Sequence, residues 1–448
     1  MKTRCLFALL AMLAGSPVFA NNETAGMPGQ PGCGRPDLSV PLTLADAIQQ
    51  AFCSNPQTRQ WWATVSSQRA QLRQAYAAYW PQLSAQYQAD KNWSQAGGIS
   101  SETSPQSATL SASYLLYDFG GREAAAKLAQ AQLQAAIATR DSDLDQLAYS
   151  VSQSYLDVLL AQASLAAAKV SEASALEALN AAEVQLSVGR AIPATKLQAQ
   201  TAYSQAQLVR IKAEGTVITS RATLANLMGM TPGTQFMLTP WHVAGLARQS
   251  EAADRLMDAA VASRQDLRAA REQTKAAEAT LQSAKAQGMP TLSLGASAGR
   301  QTGSASYPPT NTQSIGLTLS APIFTGYKDT YRIRAAEAGL DLARAQEAEL
   351  ANKVKLDVWN AYQTFKTNTE ALKSAHDAVV SGEANAEVML GRFKAGVGTM
   401  LDVLSAQASA ATARQQQASA EHDYLLSKFS LALALGRLSA GPLPSTGE

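Results

Sequence analysis

Few residues of this 448-residue chain have the types and spacing that a reaction needs. The three histidines, His242, His376 and His422, lie far apart with no ligand spacing, so no metal site is expected. No glycine-rich phosphate loop, nucleophile elbow or CxxC pair occurs, so the chain does not read as an enzyme and no cofactor is implied. The reactive groups left are thiols. Cys5 falls in a leader segment, which leaves Cys33 and Cys53. In an oxidising compartment these two can pair, pinning a Pro- and Gly-rich N-terminal stretch to the first long helix. The other reading is one buried and one exposed thiol. Charged residues on the helices read as solvated faces, and the chemistry to look for is that of surfaces.

The elements that carry those surfaces are unusual. Residues 1–20 read as a cleaved secretory signal: basic Lys2 and Arg4, apolar Leu6 to Leu13, then Val18-Phe19-Ala20 ending in a small residue. No later apolar run reaches the roughly 18 residues of a helical membrane span, though this leaves a β-barrel open. The chain is 46% hydrophobic but 6% aromatic, and rich in Ala and Gln, which disfavours a thick globular core and favours long, closely packed helices. A formal net charge of +2 suggests no nucleic-acid partner.

The chain also repeats itself. Ala51/Ala260, Arg59/Arg268, Leu72/Leu281 and Pro81/Pro290 share one offset, 209; Tyr155/Tyr362, Gly189/Gly396, Gln200/Gln407 and Gly229/Gly436 share another, 207. The change falls where the period switches from helical to two. In Leu83-Ser84-Ala85-Gln86-Tyr87-Gln88-Ala89 apolar and polar residues alternate, as they do in Ala108 to Tyr114, Leu292 to Ala298 and Ser314 to Ser320. Each copy therefore reads as helix, β-hairpin, then a long helical hairpin. The expected divisions are an extended segment over 21–43, a first repeat over 44–229, a linker over 230–250, a second repeat over 251–437 and a tail over 438–448. Strands are expected near 82–93 and 107–117, and again near 291–300 and 312–321, with helical turns near 188–194 and 395–400; residues 94–106 read as a loop. Four strands are too few to close a barrel, so a protomer of this kind needs copies of itself.

With these pieces in order the chain resembles the TolC family of outer-membrane exit ducts across its mature length. The motifs that carry the resemblance are Leu42-Thr43-Leu44-Ala45-Asp46-Ala47 with Asn55-Pro56, Tyr79-Trp80-Pro81-Gln82-Leu83, Leu116-Tyr117-Asp118-Phe119-Gly120-Gly121-Arg122, Pro322-Ile323-Phe324-Thr325-Gly326-Tyr327, and Arg392-Phe393-Lys394-Ala395-Gly396-Val397-Gly398-Thr399-Met400-Leu401-Asp402-Val403-Leu404. The resemblance implies a mainly α fold with a membrane β-barrel: a homotrimer whose subunits each give four strands to a twelve-stranded barrel in outer-membrane lipid, continued by a periplasmic α-helical barrel. It implies a passive conduit that docks a periplasmic adaptor and an inner-membrane ABC transporter or proton-driven pump.

It also implies site residues. Asp402 falls on a family aspartate that rings the closed pore, where three copies would attract cations. Against this stands a plain reading of Asp402 as a helix-start residue. Ser405 and Thr195 occupy positions where the family can carry further acids, so this entrance is expected to be less acidic. Phe393 matches an aromatic that helps hold the closed state, while Gly398 replaces a basic residue. Gly189, Arg190, Gly396 and Gly398 mark the tips expected to meet the adaptor. The Asn55-Pro56-Gln57-Thr58-Arg59 segment looks most like the branch serving type I protein secretion, including cyclolysin exporters. Small-molecule efflux is the alternative, and a periplasmic coiled-coil scaffold fits less well because it leaves the two hairpins unexplained.

Overall fold

A computed structural model describes residues 38–240, 252–302 and 308–438. The expected signal segment, Cys33, most of the lead-in, part of the linker and the tail beyond Leu438 lie outside them.

The two copies match element for element. Helix α1 (Leu44–Ser54) and α2 (Pro56–Ala77) have 11 and 22 residues, and so do α5 (Ala253–Ser263) and α6 (Gln265–Ala286). Helix α3 (Gly121–Ser187) and its counterpart α7 (Lys328–Lys394) each have 67 residues, about 100 Å at 1.5 Å per residue. They return as α4 (Pro193–Leu227) and α8 (Met400–Ala434), 35 residues each. Between them stand the strands β1 (Gln82–Ala89), β2 (Asn92–Ala96), β3 (Ile99–Thr103) and β4 (Gln106–Tyr117) in copy one, and β5 (Thr291–Thr302) and β6 (Thr310–Ser320) in copy two.

Local chemistry sets the boundaries. Thr43 caps α1, accepting from the Asp46 amide, while the Asp46 carboxylate accepts back from the Thr43 amide and hydroxyl at 3.0 and 2.7 Å. The sequence suggests one helix from here to about Tyr79. Instead it breaks at Asn55, whose extended backbone suits a residue before proline and whose side chain accepts from Gln57 N. Copy two breaks at Arg264 with the same geometry and no proline. Packing therefore holds the break in both. Gly229 and Gly436, at φ +71 and +64, bring the ends of α4 and α8 against Ser54 and Arg264.

Residues 94–106, expected as a loop, instead carry most of the paired strands β2 and β3, turned by Gly97-Gly98 at positive φ, and the first residue of β4. Period-two patterning is weak there because nearly every residue is small or polar, yet the tight Gly-Gly turn suits a two-residue hairpin.

The main sheet runs β1-β4-β5-β6, antiparallel throughout. Its register sorts the faces. Leu83 lies opposite Ala112, Leu110 opposite Ala298, and Tyr114 and Leu317 both opposite Leu294, giving one apolar face. Ser84 lies opposite Ser111, Ser297 opposite Ser314 with hydroxyls 2.8 Å apart, and Ser293 opposite Thr318, giving one polar face. Apolar residues such as Ile315, 78% exposed, have nothing to pack on among the described residues of one chain.

Below the sheet the helices form a slab. Helix α3 packs on α2, α4, α6 and α8, and α7 packs on α6 and α8. The buried side chains of α3 are largely alanine, which lets neighbours approach closely. The main core sits at the level of the helix breaks, around Ile48, Tyr155, Leu224, Leu256, Val358 and Phe429. A smaller core sits at the helical tips.

Candidate pore wall and periplasmic tip

The joint between sheet and helix is built alike in both copies. In copy one the chain passes through left-handed Phe119 and Gly120 into α3. The Asp118 carboxylate accepts from Arg122 N at 2.7 Å, and the Arg122 guanidinium donates to Leu115 O at 2.7 Å and stacks on Tyr79. In copy two left-handed Gly326 and Tyr327 do the same, with Asp329 bonded to Thr325 and Arg332. The hairpins are thus fixed in direction relative to the long helices.

At the far end the two tips of one chain touch. Gly189 and Gly396 end their helices in the left-handed conformation, at φ +73 and +82. Arg190 reaches to within 4.0 Å of where a Cβ on Gly396 would sit. Gln185 of α3 donates to Lys394 O at 2.9 Å, and the Lys394 ammonium meets Glu177 at 2.6 Å. Phe393, 6% exposed, is buried with Leu179, Met400 and Val403. These cross-copy bonds were invisible in the sequence; Lys394 stands inside the tip motif, but nothing there signals its partner over two hundred residues away.

Asp402 is exposed and closes a capping box with Thr399. Its Oδ2 accepts from the Thr399 amide at 3.1 Å and hydroxyl at 2.7 Å. The Thr399 hydrogen bonds, first the side chain's and then the backbone's, with Arg392 adding attraction, hold this carboxyl below the usual range. So the helix-start role is present and the group is ionised. Ser405 is exposed one turn on, in a shallow groove with Gly382 and Ala378. Thr195 is half-buried in the first turn of α4, and a Cβ on Gly398 would stand 3.3 Å from both Arg392 Cβ and Phe393 N. The structure thus gathers Phe393, Gly396, Gly398 and Asp402 on one tip and Gly189, Arg190 and Thr195 on the other. Cys53, half-buried on α1, is disulfide-bonded. Its expected partner Cys33 is outside the described residues.

Among the described residues no group of His, Cys, Asp and Glu could hold a metal, and no helix is long and apolar enough to cross a membrane. His422 does have partners the sequence did not reveal. Its Nε2 lies 2.9 Å from Asp157 of α3 and its Nδ1 3.0 Å from Asp423. The bond to Asp157 raises its affinity for a proton, against the opposing effect of burial.

Known proteins agree with this architecture. The model of a family described as "Outer membrane efflux protein" matches residues 47–230 and 256–437, the two copies in turn. The protein CyaE of Bordetella pertussis is 28% identical over 430 residues, covering 92% of this chain and 90% of its own length. The outer membrane efflux protein BepC of Brucella suis is 25% identical, covering 90% and 87%. The solved structure of the outer-membrane channel OprN superposes with a TM-score of 0.78 at 21% identity, covering 88% of this chain and 89% of that one.

Proposed function

The chain belongs to the TolC-like outer membrane efflux protein family, whose members are outer-membrane channels extending into the periplasm, and we propose that it forms the passive exit duct of a tripartite secretion system that exports protein. One observation carries the duct: among the described residues a single chain is a slab with two unpartnered long edges. One edge is β1, α2 and α4; the other is β6 and α7. Strands with open edges and bare apolar faces are costly to leave exposed. Three copies joined edge to edge pair both open edges of the main sheet and place its Ser, Thr and Gln face toward a water-filled lumen.

Such a wall offers moving cargo neither charge nor grease at the sheet level. The sequence carries no glycine-rich phosphate loop, and the work is assigned to an inner-membrane pump reached through a periplasmic adaptor at the Gly189 and Gly396 tips. Asp402, three copies around the axis, would set cation preference at the entrance, behind a closure held by Phe393.

Protein cargo is supported by the likeness to CyaE over most of both chains and by the Asn55–Arg59 segment. The structure tempers the second point, because Asn55 caps α2 and bonds Leu227 O at 3.0 Å, a structural task independent of cargo. Small-molecule efflux remains the second reading, supported by the likeness to BepC. A deletion strain separates them. Loss of a secreted polypeptide with unchanged drug tolerance supports the secretion reading; the reverse pattern overturns it.

A further inference from the structure

The duplication supplies a template for a contact that one chain cannot show. Within a subunit, the first copy meets the second where α3 packs against α6. In a closed ring, the second copy of one subunit meets the first copy of the next, which is α7 against α2. The two contacts are related by the internal offsets, 207 for α3 to α7 and 209 for α2 to α6.

The offsets hold for side-chain contacts as well as for helices. Arg271 of α6 meets Glu347 of α7 at 3.8 Å. The matching positions in copy one are Trp62 of α2 and Arg140 of α3, and there the Arg140 guanidinium stacks 4.4 Å over the Trp62 ring. The chemistry differs, but the same two positions touch.

Near the sheet, Lys127, Gln130 and Gln134 of α3 and Lys275, Glu278 and Gln282 of α6 line one groove. Its charges are satisfied elsewhere: Lys127 by Glu123, Lys275 by Glu272, and Glu278 by Arg344. Besides these paired charges the copies offer each other the neutral Gln130, Gln134 and Gln282 across the groove. The matching residues are Arg334, Glu337 and Asp341 on α7, and Ser66, Arg69 and Arg73 on α2. Arg334 lies over its own Tyr331 ring. Glu337, Asp341, Arg69 and Arg73 are exposed and make no ion pair among the described residues. The acids are four apart on one helix and the arginines four apart on the other, so each pair shares a helical face. Helix α2 holds no acid at all.

We infer that the seam between subunits reproduces the contact between the two copies inside one, so that Arg69 and Arg73 of each subunit face Glu337 and Asp341 of the next. This rests on the duct reading and adds its register. The seam carries unpaired charge where the internal groove carries Gln130, Gln134, Gln282 and a Glu278 already held by Arg344, so the edges of one chain recognise another chain's edges rather than its own interior.

The test uses the full chain, solubilised from the outer membrane in detergent, with oligomeric state read by light scattering. E337R with D341R, or R69E with R73E, should speed dissociation of the trimer about tenfold or more at low salt. All four reversals together should restore it. Reversals that leave the trimer unchanged, or a fourfold swap no more stable than either half, overturn the register. If the reversed chains do not accumulate, R69C with E337C, oxidised in the membrane, replaces them. Covalent dimers and trimers support the register, and monomers recovered from an intact trimer overturn it. A wild-type protein that is monomeric sinks the duct reading itself.

Discussion

Single side chains at the level of the helix breaks bind the halves of the fold together. Tyr155 is 1% exposed, and its hydroxyl lies 3.0 Å from Leu42 O and 2.8 Å from Thr239 O, joining the chain before α1 to the chain after α4. Burial, against the lowering effect of its hydrogen bonds to Thr239, pushes this phenol up to about 12, so it stays neutral and donating at any physiological pH. Tyr155→Phe leaves the Thr239 carbonyl without that donor, and a loss of about 1–2 kcal/mol is expected in thermal unfolding. His422 is the titrating counterpart. Its folded proton affinity exceeds the ordinary value, so its bridge from α8 to Asp157 on α3 is complete below about pH 6.5 and fades as pH rises through the higher folded value. Between pH 6 and 8 the wild-type melting temperature should therefore fall more steeply than that of His422→Gln; parallel curves would show that the bridge contributes nothing. Asp402→Ala removes both a capping box and an exposed charge. Planar-bilayer recordings should show weaker block by multivalent cations, and unchanged block would leave Asp402 as a cap alone.

At the scale of elements, glycines with the same backbone angle have different tasks. Gly189 sits at φ +73 with open space around it, so Gly189→Ala should cost only about 1 kcal/mol. Gly229 has nearly the same angle, but a Cβ there would stand 2.6 Å from Ser54 O. Gly229→Ala should cost more than about 2 kcal/mol in the same melting experiment. Equal losses would mean that backbone angle alone matters at both sites. Both glycines were legible as members of the repeat, and so were the hairpins and the tips, because a shift of period from 3.6 to 2 and a helix-ending glycine leave marks in sequence. The breaks at Asn55 and Arg264 were not. Copy two breaks with no proline, so the cause is the close approach of Gly436 to Arg264, a tertiary contact that no local pattern encodes. The strands β2 and β3 were hidden for a different reason. Their residues are mostly Ser, Gln, Thr and Ala, and both faces are so alike that alternation vanishes.

At the scale of the whole molecule, the same offsets that place Arg69 beside Glu337 bear on how the tip opens. Inside a subunit the tips are tied by Glu177 to Lys394 and by Gln185 to Lys394 O. The positions that match Glu177 and Lys394 across a seam are Ala384 and Ser187, which cannot form that ion pair. Each subunit's two tips would then move as one body, and the seams would be the weaker lines along which the entrance widens. An ion pair written into the seam should hold it shut. A384E with S187K is expected to lower single-channel conductance at low ionic strength and to recover toward wild type at high salt, where exposed pairs are screened. Each single substitution should do neither. If the paired variant conducts like wild type at low salt, the seams are not the lines that part, and the tip opens by some other movement.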